Sequence, residues 1–205
     1  MVLRRLAFSA LGLLLLSLAF LPAPETRAAT DPAGVVTDFG NRALKMLNDP
    51  GISDSERRKR FRALLDEDFD FDIVSRFVLG RYWQGATEAE RRDFATVFKD
   101  YVVQSYSNRF NEFTDTSFKV MGERAEGEAA TVVRTDVSRK GGAPAKVDWR
   151  VSKVASGYKI TEVTIDGVSM SLTHRQEFAA IMEKNGGHVT DLIAALRNKL
   201  ASAAQ

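Results

Sequence analysis

The 205-residue chain has no cysteine and only two histidines, His174 and His188. Without cysteine there is no disulfide, no thiol nucleophile and no lipid-modified thiol to tether the chain to a membrane. Neither histidine has a metal-ligand spacing such as His-x-x-x-His, and His174 reads as a solvated residue beside a helix start. No glycine-rich phosphate loop occurs, because the Gly-Gly pairs fall at a turn and at a helix end. Ser169 and Ser171 flank Met170 without the Gly-x-Ser-x-Gly elbow of a hydrolase. The acidic run from Asp66 to Asp72 alternates with Phe69 and Phe71 and lacks the order of a calcium loop. Those carboxylates read as helix-end charges. There are no internal repeats and no low-complexity linker. With no catalytic constellation in view, the sequence favours binding over catalysis.

Charge of one sign is also scarce once the first segment is set aside. The chain carries 29 Lys and Arg against 27 Asp and Glu. Arg4-Arg5 precedes an apolar run from Leu6 to Leu21, then Pro22, Pro24 and the small-residue site Thr26-Arg27-Ala28-Ala29. This pattern predicts a secretory signal peptide over residues 1–29, cleaved after Ala28 or Ala29. The alternative is a retained N-terminal anchor, for which the run is short, and no second apolar run follows it. The paired arginines lack a twin-arginine context, so ordinary secretion is expected. A secreted domain without disulfides fits a bacterial periplasm. Residues 1–29 hold Arg4, Arg5 and Arg27 but only one acid, Glu25, so the remainder is formally neutral. A neutral domain lacks the electrostatic footprint of a nucleic-acid binder. The basic quartet Arg57-Arg58-Lys59-Arg60 reads as a solvated helix face balanced by Asp66, Glu67, Asp68, Asp70 and Asp72. Residues 30–205 are enough for one domain with one well-buried core.

What is present is pattern. Val147, Trp149 and Val151 alternate with Lys146, Asp148, Arg150 and Ser152, which predicts a half-buried strand. Ala155-Ser156-Gly157 turns the chain, and Tyr158-Lys159-Ile160 starts an antiparallel partner. Val163 and Ile165 are out of phase with Tyr158 and Ile160, so a bulge is expected near Thr161-Glu162. Asp166-Gly167 then breaks the run before Val168 and Met170 resume it. Upstream, Phe118 and Val120 begin a strand, Gly122 to Gly127 reads as a loop, and Ala129 to Val137 as a second strand. A turn at Lys140-Gly141-Gly142-Ala143-Pro144 completes a four-stranded antiparallel meander.

Helices flank this sheet in sequence. Val35 to Leu47 has helical apolar spacing, and Ser53 or Asp54 caps the next helix through Phe61, Leu64 and Leu65. A short buried helix ends at Gly80. Thr87 with Glu90 forms a capping box for the longest helix, expected from Glu88 to about Phe113. Its stripe of Phe94, Val97, Phe98, Tyr101, Val102, Tyr106, Phe110 and Phe113 is rich in aromatics. Thr173 with Gln176 predicts a capping box for a helix that stops at Gly186-Gly187, and a last helix covers Val189 to Leu200. Helices, then sheet, then helices define an α+β class, with a bent sheet whose apolar face the helices cover.

Leu79-Gly80-Arg81-Tyr82-Trp83, the helix with Arg91, Phe94, Phe98 and Tyr106, and Tyr158-Lys159-Ile160 through Asp166-Gly167-Val168-Ser169-Met170 together resemble the MlaC or toluene-tolerance family. The similarity covers about Val35 to Leu200. Gln176-Glu177-Phe178 through Gly186-Gly187-His188-Val189 is also similar to the hopanoid-associated HpnM branch. The resemblance implies a non-enzymatic periplasmic lipid carrier, monomeric and without cofactor. Its partners would be an inner-membrane ABC transporter complex and an outer-membrane lipid complex. The ligand implied is a phospholipid, or a hopanoid on the HpnM branch, with hydrocarbon in an apolar cleft between sheet and helices and the headgroup outside. The expected walls are Phe98, Tyr101, Val102 and Tyr106 from the long helix. Val132, Val147, Trp149, Val151, Ile160, Val163, Ile165 and Val168 are the expected walls from the sheet. Two other readings remain at this level. An enzyme acting on a hydrophobic substrate would need an inward carboxylate or histidine, and Arg134 with Asp136 is the best pair on offer. A periplasmic adaptor would have a filled core and no ligand.

Overall fold

The computed structural model describes residues 31–110, 115–138, 143–184 and 186–203. The signal-peptide reading, the helix end at Phe113 and most of the Lys140–Pro144 turn lie outside the described residues. The rest is an α+β arrangement in which helices cover one face of an antiparallel sheet.

Local chemistry sets the helix starts. α1 (Pro32–Leu47) begins with proline at its first position, and Asp31 Oδ1 accepts the Gly34 N–H at 2.7 Å. α2 (Asp54–Asp68) is capped by Ser53, whose hydroxyl accepts from Glu56 N–H. α3 (Phe71–Leu79) ends at Gly80, where φ is +55°, and a 3-10 turn follows over Gly80–Trp83. α4 (Glu88–Ser107) carries the expected reciprocal box between Thr87 and Glu90. It ends at Ser107, short of the expected Phe113.

The sheet is a meander in the order β1-β2-β3-β4-β5. Its strands are β1 (Ser117–Glu126), β2 (Ala130–Ser138), β3 (Ala145–Val154), β4 (Gly157–Ile165) and β5 (Val168–Ser169). Two expectations are corrected here. The segment from Gly122 to Glu126 is not a loop: β1 continues through it to a turn that begins at Gly127, and Gly122 sits at a slip in the β1–β2 register. The sheet also has a fifth strand, because Asp166 and Gly167 both take positive φ and close a tight hairpin between β4 and β5. The bulge on β4 is where the phase slip placed it. Arg150 pairs with Glu162 and Val151 with Ile160, which leaves Thr161 as the extra residue.

α5 (Met170–Lys184) starts directly after β5, three residues before the expected Thr173 cap. Ser169 does the capping, accepting from Leu172 N–H at 3.0 Å, while the Thr173 hydroxyl donates back to the Ser169 carbonyl. α6 (Val189–Ser202) closes the chain.

Two hydrophobic clusters result. One lies among the helices, where Val78, Leu79, Phe94, Phe98, Phe178, Met182, Leu192 and Leu196 are fully buried. The other joins α1 to the inner sheet face through Val36, Phe39, Val133, Val151 and Ile160. Phe69, between α2 and α3, bridges to Ile160, and Asp70 N–H donates to the Ile160 carbonyl at 3.1 Å. α4 and the far half of the inner sheet face stand on opposite sides of the space that remains.

Candidate functional site

That space is a cavity of about 380 Å³. From α4 come Phe98, Val102 and Tyr106, spaced four residues apart and so on one helix face. From the sheet come Val137, Val147, Trp149, Val163 and Ile165. α1 supplies Phe39, Gly40, Ala43 and Leu47, and Phe61, Phe69 and Phe71 fill the junctions. Hydrogen bonds and ring contacts orient the wall side chains. Thr135, fully buried, accepts from Trp149 Nε1 at 2.9 Å and donates to the Val147 carbonyl at 3.2 Å, which sets the indole plane. Phe39 meets both Phe69 and Trp149 edge to face at 5.5 Å. Gly40 admits the Phe118 ring against α1, because a Cβ there would lie 2.9 Å from the ring carbons.

Of the expected wall residues, Phe98, Val102, Tyr106, Val147, Trp149, Val163 and Ile165 are at the cavity. The other five are not. Tyr101 turns towards α5 and α6, against His174 and Phe178 and beneath Lys199. Val151 and Ile160 are on the inner face but wholly buried, at 0% exposure, where α1 fills the sheet. Val132 lies on the outer face, one residue from the inward Val133. Val168 is 54% exposed in the two-residue β5, which is too short to carry it inward. Phe110, Phe118 and Met170 also line the cavity although the strand and helix patterns did not single them out as wall.

A few polar groups interrupt this hydrocarbon. Glu162 lines the cavity, with Oε1 accepting from Val163 N–H at 2.8 Å and Ser171 N–H at 3.2 Å, and Oε2 accepting from the Ser169 hydroxyl at 2.9 Å. It therefore serves as a cap at the positive end of α5. The Tyr106 hydroxyl donates to Met170 Sδ at 3.3 Å, and burial pushes its phenol above the ordinary tyrosine range. His174 is not a solvated cap residue. Its ring packs on Phe98, Tyr101 and Phe178, and burial pushes its pKa below the ordinary histidine value. The imidazole is held neutral. Its Nδ1 is buried without a hydrogen-bond partner among the described residues.

The pair Arg134 and Asp136 stands on the outer sheet face, where Arg134 is exposed and bonds Asp148 at 3.0 Å. The inward acid and histidine are Glu162 and His174 instead, the first committed to three donors and the second to an aromatic cluster. Among the described residues no group of three or more metal-binding side chains occurs, and no helix is long and apolar enough to cross a membrane.

The fold is that of an α+β protein in which, among the described residues, six α-helices accompany a five-stranded antiparallel sheet. Residues 38–198 match the family model described as MlaC protein, and the chain belongs to that family. The toluene tolerance protein ttg2D of Pseudomonas putida is 24% identical over 137 residues, covering 66% of this chain and 64% of that protein. The match thus spans slightly under two-thirds of that relative's length. The phospholipid-binding protein from Ralstonia solanacearum, solved in complex with a phospholipid, superposes with a TM-score of 0.75. It is 25% identical, and the alignment covers 85% of this chain and 99% of that one.

Proposed function

We propose that this protein is a periplasmic phospholipid carrier that holds acyl chains in the cavity between α4 and the inner sheet face. The observation that carries the reading is the cavity itself: residues of five helices, α1 to α5, and four strands, β1 to β4, leave about 380 Å³ lined mainly by hydrocarbon. A soluble protein gains nothing from such a gap unless something apolar fills it, because unfilled core space costs about 24 cal/mol per Å³. The family and the phospholipid-bound structural neighbour support the choice of guest.

The energetics fit a shuttle. A phospholipid with about 30 methylenes free in water is disfavoured by more than ~20 kcal/mol, at about 0.8 kcal/mol per methylene. A carrier needs only to approach the stability of a bilayer, so a dry, adaptable cavity suffices. At roughly 30 Å³ per water-sized unit the space holds about a dozen methylenes, most of one tail, and a second tail requires the walls to part. The protein is placed between an inner-membrane ABC transporter complex and an outer-membrane lipid complex. The leader pattern in residues 1–29 supports the periplasmic site.

Organic extraction of freshly purified protein, followed by mass spectrometry, tests this reading. A stoichiometric two-tailed phospholipid is the expected result. A polycyclic triterpenoid would move the ligand to the hopanoid class, and a chemically altered lipid after long incubation would favour an enzyme. An extract without stoichiometric lipid would leave an adaptor.

A further inference from the structure

Among the described residues, three charged side chains line the cavity: the half-buried Glu162, held by three donors, and the exposed Arg109 and Asp166. Arg109 lies just past the end of α4, a turn beyond Tyr106, and its charge acts on the Tyr106 phenol. Asp166 closes the β4–β5 hairpin; its Oδ1 accepts from Lys146 N–H at 2.9 Å, and its own N–H donates to the Lys146 carbonyl at 2.8 Å. Both are exposed, and both line the cavity. The contact between Tyr106 and Met170 ties the end of α4 to the segment that follows this hairpin, and both charges border the same cavity. Deeper along α4 come Tyr106, Val102 and Phe98, so beyond the cation the lining passes from phenol to hydrocarbon over about 12 Å of helix axis at 1.5 Å per residue. That order matches a glycerophospholipid read from headgroup to tail.

We propose that Arg109 and Asp166 form a headgroup subsite that favours zwitterionic phosphoethanolamine lipids over anionic phosphoglycerol lipids. The proposal rests on the lipid-carrier reading. The guanidinium has five N–H donors and serves a phosphate as well as a neighbour within the chain. The second oxygen of Asp166 faces the ammonium. An anionic headgroup would satisfy Arg109 but set its phosphate near the Asp166 and Glu162 carboxylates with nothing for Asp166 to pair with. The Tyr106 hydroxyl, whose partner is a weakly accepting thioether, is placed to turn to an ester carbonyl between headgroup and tail. Because both charges are exposed, the selectivity is modest, about twofold to fivefold, as for exposed ion pairs.

The test is competition. Delipidated protein is incubated with vesicles of equal parts phosphatidylethanolamine and phosphatidylglycerol with identical acyl chains, repurified, and its bound lipid quantified by mass spectrometry. Bound lipid enriched about twofold to fivefold in phosphatidylethanolamine is expected. In Asp166→Asn, which keeps a side chain tolerant of positive φ, the ratio should fall towards one; Arg109→Gln, which leaves the carboxylates facing the phosphate, should lower uptake of both lipids and keep the ratio above one. Full lipid occupancy with a ratio of one in the unaltered protein would overturn the subsite and leave the carrier reading standing. Protein that takes up neither lipid would overturn both.

Discussion

Val147→Arg separates a cavity wall from a filled core. Val147 is 5% exposed, pairs with Thr135 and Ile165 across the sheet, and lines the cavity. Arginine adds about four heavy atoms to this side chain, and each displaced methylene of a bound tail forfeits about 0.8 kcal/mol, so ~3 kcal/mol of tail burial is lost. That corresponds to a drop in affinity on the order of a hundredfold, before any cost of drying the guanidinium. The existing cavity gives the new side chain somewhere to go, so the fold should survive. Val151→Arg is the contrast: Val151 sits in the same strand at 0% exposure against α1, with no space beside it, and the variant should fail to fold. The assay is native mass spectrometry of each variant, with circular dichroism to confirm structure and Val102→Trp as an uncharged way of filling the same space from α4. Undiminished bound lipid in folded Val147→Arg and in Val102→Trp would refute the assignment of this cavity to acyl chains.

Two further outcomes follow from the wall itself. Burial lowers the His174 pKa below its ordinary 6.5, with Glu177 and Glu162 opposing the shift and Lys199 adding to it. The stability tied to the neutral ring is therefore complete above about pH 6.5 and is lost as pH falls through the lowered folded value, at no more than ~1.4 kcal/mol per pH unit. Urea midpoints at pH 7.5 and 5.5 should differ less in His174→Phe than in the unaltered protein; an equal difference would contradict the neutral ring. Gly40→Ala should destabilise by about 1 kcal/mol despite alanine's better helix propensity, because its Cβ meets the Phe118 ring at 2.9 Å. A rise in urea midpoint would show that Phe118 swings aside freely.

Much of this architecture could be read before any coordinates, and the misreadings have physical causes. Strict alternation placed Val147, Trp149 and Val151 on one face, and the phase slip located the bulge that leaves Thr161 unpaired. Alternation does not say which part of an apolar face is covered. Val151 and Ile160 belong to the same face as Val147 and Val163, but packing against α1 buries the first two completely, and that docking depends on residues far apart in sequence. In β2 the adjacent Val132 and Val133 give no phase by themselves. The charges of Arg134 and Asp136, on the face Val132 shares, were the available signal that this face points to water. The helical stripe of α1 was visible, but nothing in it showed that Phe39, Ala43 and Leu47 would border a space. His174 looked solvated because two of the three aromatic rings around it, Phe98 and Tyr101, come from α4. Only Phe178, one turn along α5, was a local hint.

Trp149 offers the most direct test of where hydrocarbon sits, since its indole lines the cavity and the only other tryptophan is Trp83, outside the cavity lining. In a Trp83→Phe variant loaded with phospholipid brominated along the acyl chains, Trp149 fluorescence should be strongly quenched relative to the same lipid without bromine. Tryptophan emission unchanged by brominated tails, at confirmed stoichiometric loading, would place the lipid elsewhere and contradict the account.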